Sequence, residues 1–353
     1  MKSYHPPKLP IKLNFAYFAK ELGEASFELG KLDGRQRDLP NASLLISPLS
    51  AKEATVSSKI EGTKSTVSDV FLYESGEVAK YPDTVEVFNY RMATLWATKN
   101  LKNRKFNLAF IKELHSNLLK NTRGEQKRGE FRKEQVFIGT KGATIEQASY
   151  IPPEPFLVLD YMENLEKYIL SNQENYLIKA AIIHYQFEAI HPFFDGNGRI
   201  GRLIIPLLLY QKDLLYQPIL YLSGYFNKHR DRYIDTLHLV DINKNYDEWV
   251  KFFLISVKEQ AKETQSLIQR MWDLFQVVNQ KTEVIKSPYI AKTINFIFKK
   301  PIFTAKELNS ELKADRATVS RLTKRLIQLQ VISSLFPKRK KALFLFRDLF
   351  KLL

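Results

Sequence analysis

The chain has 353 residues, 44% of them hydrophobic and 26% charged, the balance of a folded protein with room for two or three domains. With no cysteine it has no disulfide scaffold, thiol nucleophile or thiolate-held zinc or iron–sulfur centre, and 6 histidines make an imidazole cage a poor expectation. The net charge of +16 is uneven: residues 287–353 hold 15 Lys and Arg against 4 Asp and Glu, the mark of either a module with an anionic partner or a solubilising surface.

The N-terminus carries Pro6, Pro7 and Pro10 and runs extended, with no apolar signal-peptide region. Phe15, Phe18, Leu22, Phe27, Leu29 and Leu32 then recur at helical spacing, and Asp33-Gly34 is expected to end that helix. A second helix is predicted from about Ser50 to Ile60, interrupted at Gly62 and resumed to Tyr73. Residues 84–100 and 107–120 read as two more. Val136 to Tyr150 departs from this pattern: Val136-Phe137-Ile138, turn residues at Gly139-Thr140-Lys141-Gly142 and a return at Ala143-Thr144-Ile145 predict a short hairpin. Prolines 152, 153 and 155 close it, and residues 157–170 return to helix. Leu177 to Ile190 is apolar nearly all round, as in a central buried helix, until Pro192 breaks it. Helical pattern resumes over 200–215, 228–240 and 246–277, and residues 278–287 read as a linker. The strongly apolar stretch from Leu203 to Tyr210 is far short of the about 20 residues that span a bilayer, so a cytoplasmic protein without membrane contact is expected.

The loop at 191–202, HPFFDGNGRIGR, joins two of these buried helices. Gly196 and Gly198 allow backbone N–H groups to converge on an anion, and a helix N-terminus adds its positive end. Arg199 and Arg202 can fork onto phosphate oxygens. Asp195 would repel phosphates unless a divalent cation lies between them, which implies Mg²⁺. His191 is the one group here that exchanges a proton near pH 7. Together these residue types describe phosphate transfer with a histidine base. The run from Gly196 to Gly201 also matches G-x-G-x-x-G, but it follows a helix rather than a strand, which argues against a dinucleotide site. His184, seven residues before His191, is either a metal partner or a hydrogen-bonded core histidine.

The same twelve residues resemble the signature of the Fic family, H-P-F-x-[DE]-G-N-G-R-x-x-R, at every fixed position. The resemblance implies transfer of AMP from ATP to a hydroxyl side chain (Tyr, Thr or Ser) of a target protein. It implies His191 as the base, Asp195 as the Mg²⁺ ligand, and a nucleotide site drawn from Gly196, Asn197, Gly198, Arg199, Ile200, Gly201 and Arg202. Residues 53–63, EATVSSKIEGT, are similar to the inhibitory motif [ST]-x-x-x-E-[GN] of one class of the family. Ser57 and Glu61 share a helix face at a spacing of four. By this resemblance Glu61 pairs with Arg202 and obstructs the γ-phosphate.

Gly129-Glu130-Phe131-Arg132 and the hairpin are similar to the family's flap, whose open strand edge would hold a target segment. Tyr225 and Tyr233 stand either as adenine-side contacts or as core aromatics. The resemblance covers roughly residues 5–275.

In the basic tail, Thr304 to Glu307 is a capping box and Asp315 starts a further helix with Arg316, Arg321, Lys324 and Arg325 mostly outward. Val331 to Phe346 reads as a two-stranded wing tipped by Pro337-Lys338-Arg339-Lys340-Lys341. This resembles a winged helix-turn-helix, a scaffold for DNA contact or for protein docking.

The expected fold is mainly α: an N-terminal helical region (1–83), a Fic core with a β-hairpin flap (84–277) and a C-terminal winged helix (288–353). The expected function is an autoinhibited AMP transferase using ATP and Mg²⁺. The alternatives are a DNA-binding regulator with a silent core, and AMP removal or transfer of another phosphate-bearing group by the same site.

Overall fold

A computed structural model describes residues 2–39, 41–139, 142–171, 175–335 and 342–353. Two helices carry the middle of the molecule: α7 (Tyr176–Ile190) and α8 (Asn197–Gln211), joined by the loop 191–196. Both are buried on nearly every side, as their unbroken apolar sequences require. Around them pack α1 (Phe15–Asp38), α2 (Ser43–Ile60), α3 (Val67–Glu74), α4 (Thr84–Leu101), α5 (Leu108–Leu118) and α6 (Val158–Leu170). Beyond α8 lie α9 (Ser223–Lys228), α10 (Arg230–Asn243) and α11 (Asp247–Thr282). Helix α2 lies along α4 and also touches α8 and α9, which brings its C-terminal end to the first turns of α8.

The C-terminal part follows the order α12 (Ile290–Lys299), β1 (Ile302–Thr304), α13 (Ala305–Leu312), α14 (Arg316–Gln328), β2 (Ser333–Ser334), β3 (Leu343–Leu345) and α15 (Arg347–Phe350). Its strands form an antiparallel sheet in the order β1-β3-β2. Both predicted helix starts are present. Thr304 and Glu307 form a reciprocal capping box on α13, and the Asp315 carboxylate accepts the Thr318 N–H at 2.8 Å on α14. This segment does not hang from a free linker. Ala51 of α2 and Phe71 of α3 share a small apolar core with Ile302 and Leu343, and Ser75 Oγ donates to the Ile302 carbonyl at 2.9 Å. The predicted wing tip, 337–341, lies outside the described residues.

The sequence expectations for several elements are corrected. Helix α1 runs through Asp33-Gly34 to Asp38, because Arg37 pairs with Asp33 at 2.7 Å, Gln36 accepts the Gln217 N–H at 2.8 Å, and the helix lies against α11. Tertiary contact here outweighs the local cost of a helical glycine, about 1 kcal/mol. Helix α2 starts at Ser43 with Pro48 inside it, and α11 continues to Thr282, which shortens the linker. The predicted hairpin has a single bridge, Ile138 to Tyr150. Its return strand is instead a 3₁₀ turn, Ile145–Gln147, closed by a Thr144–Gln147 capping box. Residues 140 and 141 of its turn lie outside the described residues. Helix α8 begins at Asn197 rather than at Ile200, which places Gly198 and Arg199 in its first turn. No helix among the described residues is long and apolar enough to cross a membrane.

Candidate active site

The loop between α7 and α8 is held by its own side chains. Asn197 donates to the Phe193 carbonyl and accepts the Phe193 N–H, both at 2.8 Å, so its amide is spent on closing the turn. Gly196 has φ +79°, and a Cβ there would also lie 3.1 Å from a Leu118 methyl, so only glycine suits the position. His191 itself caps α7 at φ +49°, a left-handed conformation that costs a non-glycine residue about 1–3 kcal/mol. The imidazole Nδ1 is buried with no side-chain partner among the described residues, and the Glu188 backbone faces the ring. Burial, and then the positive charge of Arg132, lower the His191 pKa to about 4, so the ring is neutral at pH 7.

Glu61 follows the last residue of α2 and reaches across to the first turns of α8. Its Oε1 accepts from Arg202 Nη2 at 2.7 Å, while its Oε2 lies 2.9 Å from Arg199 Nε. The second contact is an ion pair off the N–H axis rather than a hydrogen bond. Ser57, one turn earlier, accepts from Arg202 Nε at 2.8 Å and offers its carbonyl to Nη2 at 3.0 Å. The Ser57–Glu61 spacing read from the sequence therefore converges on Arg202, and Glu61 grips Arg199 as well. Gly198 makes the approach possible: a Cβ there would come within 2.6 Å of Glu61 Oε1 and 2.8 Å of Arg202 Nη1. Both arginines are almost wholly buried. Burial works against their charge, but Glu61 and the other acidic groups outweigh it and hold both above their ordinary pKa.

Three partners of this loop lie outside the signature, and of these the sequence marked only Arg132, as part of the flap motif. Glu86, in the first turn of α4, accepts from Arg199 Nη1 at 2.8 Å. His115 stacks on Phe193 at a centroid distance of 3.7 Å. Its Nδ1 accepts the Gly129 N–H at 2.8 Å, so its protonated Nε2 donates to the Asp195 carbonyl at 2.9 Å. Arg132, buried, donates Nε to the His191 carbonyl at 2.8 Å. Glu86 and His115 are lone residues far along the chain from the loop. The one signal was a polar side chain set among apolar neighbours, as His115 is between Leu114 and Leu118.

The remaining predicted residues divide. Asp195 is part-exposed on the loop; its Oδ1 accepts the Gly196 N–H at 2.6 Å and lies 3.3 Å from Arg199 Nη2. Ile200 is fully buried in the core, so it can meet a ligand only through its backbone. Gly201 packs α8 against α7: a Cβ there would clash with the Glu188 carboxylate and crowd Phe187. Tyr233 takes the core option. It is buried, stacks on Phe226 at 4.4 Å and bonds His184 Nε2 at 2.9 Å. His184 is thus a hydrogen-bonded core histidine, pushed down to about 3 by burial. Tyr225 packs against His229 and Phe252. At the end of α7, a cavity of about 480 Å³ opens between the hairpin and α10, lined by Ile138, Tyr150, Glu188, Ile234 and Leu237 among others.

A capped loop, an arginine-rich helix start and a flanking hairpin on an all-helical core define a Fic domain. The chain belongs to the Fic/DOC family: the family model matches residues 105–209 and the model of the family's N-terminal region matches residues 19–99, together more than half of the chain. Among its relatives, the protein adenylyltransferase Fic of Drosophila mojavensis is 32% identical over 139 residues, 38% of this chain and 25% of that protein. The Aedes aegypti protein of the same name is 32% identical over 148 residues, 41% of this chain and 26% of that one. The matched stretch thus spans about a quarter of these curated relatives. A solved Fic family protein from Desulfovibrio desulfuricans G20 shares the fold along 97% of this chain and 98% of its own, with TM-score 0.61 and 21% identity. Fic-1 of C. elegans shares it over 72% and 73%, with TM-score 0.56 and 18% identity.

Proposed function

We propose that this protein transfers AMP from ATP to a hydroxyl side chain of a target protein, and that Glu61 holds the activity down. The observation that carries the reading is a neutral imidazole, His191, one loop away from a helix start with two buried arginines. In the reaction the target hydroxyl gives its proton to His191 as its oxygen attacks the α-phosphorus. The bond from the α-phosphorus to the bridging oxygen breaks, and pyrophosphate leaves. Backbone N–H groups at the start of α8 and the forks of Arg199 and Arg202 suit the phosphates. The cavity beside the hairpin is of a size for the nucleoside.

Asp195 fits a Mg²⁺ ligand. It is a part-exposed carboxylate on the loop, beside Arg199 at the start of α8. One or two carboxylates completed by substrate phosphates and water is the usual pattern for this ion, which would neutralise phosphate charge.

The Glu61 carboxylate sits where an anion would meet the α8 start and engages both arginines. ATP must displace it for the γ-phosphate to reach Arg202. Incubation of the Glu61→Gly variant with ATP labelled at the α- or γ-phosphate tests the reading. Label on protein from the α position alone supports AMP transfer; label from γ alone means transfer of a different group.

A second activity is favoured by α14. The order α12-β1-α13-α14-β2-β3 reads as a winged helix with α14 as its recognition helix. The exposed face of α14 carries Arg316, Arg321, Lys324 and Arg325, with no acid after the cap Asp315. That surface suits the phosphates of duplex DNA.

A further inference from the structure

Arg132 is buried, and among the described residues its guanidinium meets only main-chain carbonyls. Nε donates to His191 at 2.8 Å, Nη2 to Pro153 at 2.5 Å and Ile190 at 3.4 Å, and Nη1 to Glu134 at 3.3 Å. Its own N–H donates to the Pro192 carbonyl at 2.9 Å. Two of the side-chain partners, Ile190 and His191, are the last carbonyls of α7, where a helix has orphan acceptors and its negative end. The other two flank the hairpin at its two feet.

A catalytic histidine is usually aimed by a hydrogen bond to its second ring nitrogen. Among the described residues no side chain reaches the Nδ1 of His191; what faces the ring is the Glu188 backbone, one turn back on α7. The direction of the ring therefore depends on main chain alone, the last turn of α7 and the backbone of residues 190–192, which is in a left-handed conformation at His191. Arg132 is the side chain that grips that backbone.

We infer that Arg132 is a positioning residue for His191, fixing the peptide that aims the imidazole and locking it in register with the hairpin. One guanidinium spans the end of α7 and both feet of the hairpin, so base and flap move as a unit. The charged groups facing the ring are Arg132, Glu61 from the end of α2 and Asp195 on the loop. Of these, Arg132 is the one that disfavours the imidazolium, so it also helps to keep the base in its neutral form. The inference rests on the AMP-transfer reading for its kinetic part only.

The test uses the full chain in the Glu61→Gly background with Arg132→Gln and Arg132→Lys. Two quantities are read: the His191 titration midpoint by NMR of the labelled ring, and kcat and KM for ATP. In Arg132→Gln the charge is gone, so the midpoint should rise by at least about half a pH unit. A misaimed base should lower kcat at least about tenfold, with KM for ATP within about threefold. Arg132→Lys keeps the charge but loses the fork, so kcat should fall while the midpoint stays. A folded Arg132→Gln with unmoved midpoint and kcat within about twofold of its parent overturns the inference. So does Arg132→Lys at the parent's kcat, which decides the matter if the Gln variant fails to fold. If the parent itself transfers no AMP, the functional reading has failed, and the ring titration alone decides whether Arg132 governs His191.

Discussion

The molecule uses arginine in two opposite ways. At the start of α8, Arg199 and Arg202 are 2% and 4% exposed and are held by Glu61, Glu86, Asp195 and Ser57. On α14, Arg316, Arg321 and Arg325 are exposed, and the contacts of the last two are within the helix, Arg321 to Thr318 at 3.2 Å and Arg325 to Gln328 at 3.3 Å. A buried arginine is held by specific acids, and removing one partner leaves an uncompensated charge. An exposed one contributes little to stability and is free to meet a phosphate. The overall charge of the chain does not distinguish these roles. Burial and the identity of the partners do.

The comparison can be broken first at the loop. His191→Ala removes the base but no phosphate contact, so AMP transfer should fall by about 10²–10⁴ while ATP binding survives. Single-turnover transfer and nucleotide titration of the same sample check both halves. A variant keeping more than about half the parental rate would show that another group accepts the proton.

A smaller effect is expected at α14. If it docks on duplex DNA, log affinity should fall with log salt at about −0.9 per phosphate contact. Replacing Arg321, Lys324 and Arg325 by Gln should flatten that slope by up to about 2.7 and leave AMP transfer unchanged. Fluorescence anisotropy of a mixed-sequence duplex across a salt series reads it. Absence of binding at low salt would assign this face to another partner.

The smallest effect is in pH. His191 is lowered to about 4 by burial and then by Arg132, and its neutral form is the active one. Activity that depends on this base is therefore present above about 4 and lost as pH falls through it. In the Glu61→Gly background, the His191 limb of the kcat profile should lie well below the ordinary histidine value of about 6.5. A limb near 6.5 would mean that the ring is solvated during turnover.

The loop and Glu61 were legible in the sequence because each is a contiguous motif whose residue types carry its chemistry. Even so, the sequence pointed Glu61 at Arg202 alone, and its second oxygen on Arg199 needed the structure. Glu86 and His115 were not legible, since each meets the loop from a distant segment as a single polar residue, and Arg132 was marked only as part of the flap motif, without its grip on the His191 carbonyl. The capping signals at Thr304 and Asp315 were read correctly because capping is local. The end of α1 and the return strand of the hairpin were not. The first is decided by packing on α11, the second by a 3₁₀ turn closed through side chains. The choice between ligand and core for Tyr233 rests on its bond to His184, 49 residues away.

The central claim is that Glu61 restrains the site by holding the arginines that ATP needs. Breaking a buried carboxylate clasp of about 2–3 kcal/mol would weaken productive ATP binding roughly 30- to 150-fold. The direct measurement is the initial rate of AMP transfer by wild type, Glu61→Gly and Arg202→Ala at matched, subsaturating ATP. Glu61→Gly frees both Arg199 and Arg202 and should raise the rate at least about tenfold. Arg202→Ala breaks one of the two contacts of Glu61 but deletes a phosphate ligand, so its rate should stay low. A folded Glu61→Gly protein whose rate is unchanged or lower than wild type would contradict the account.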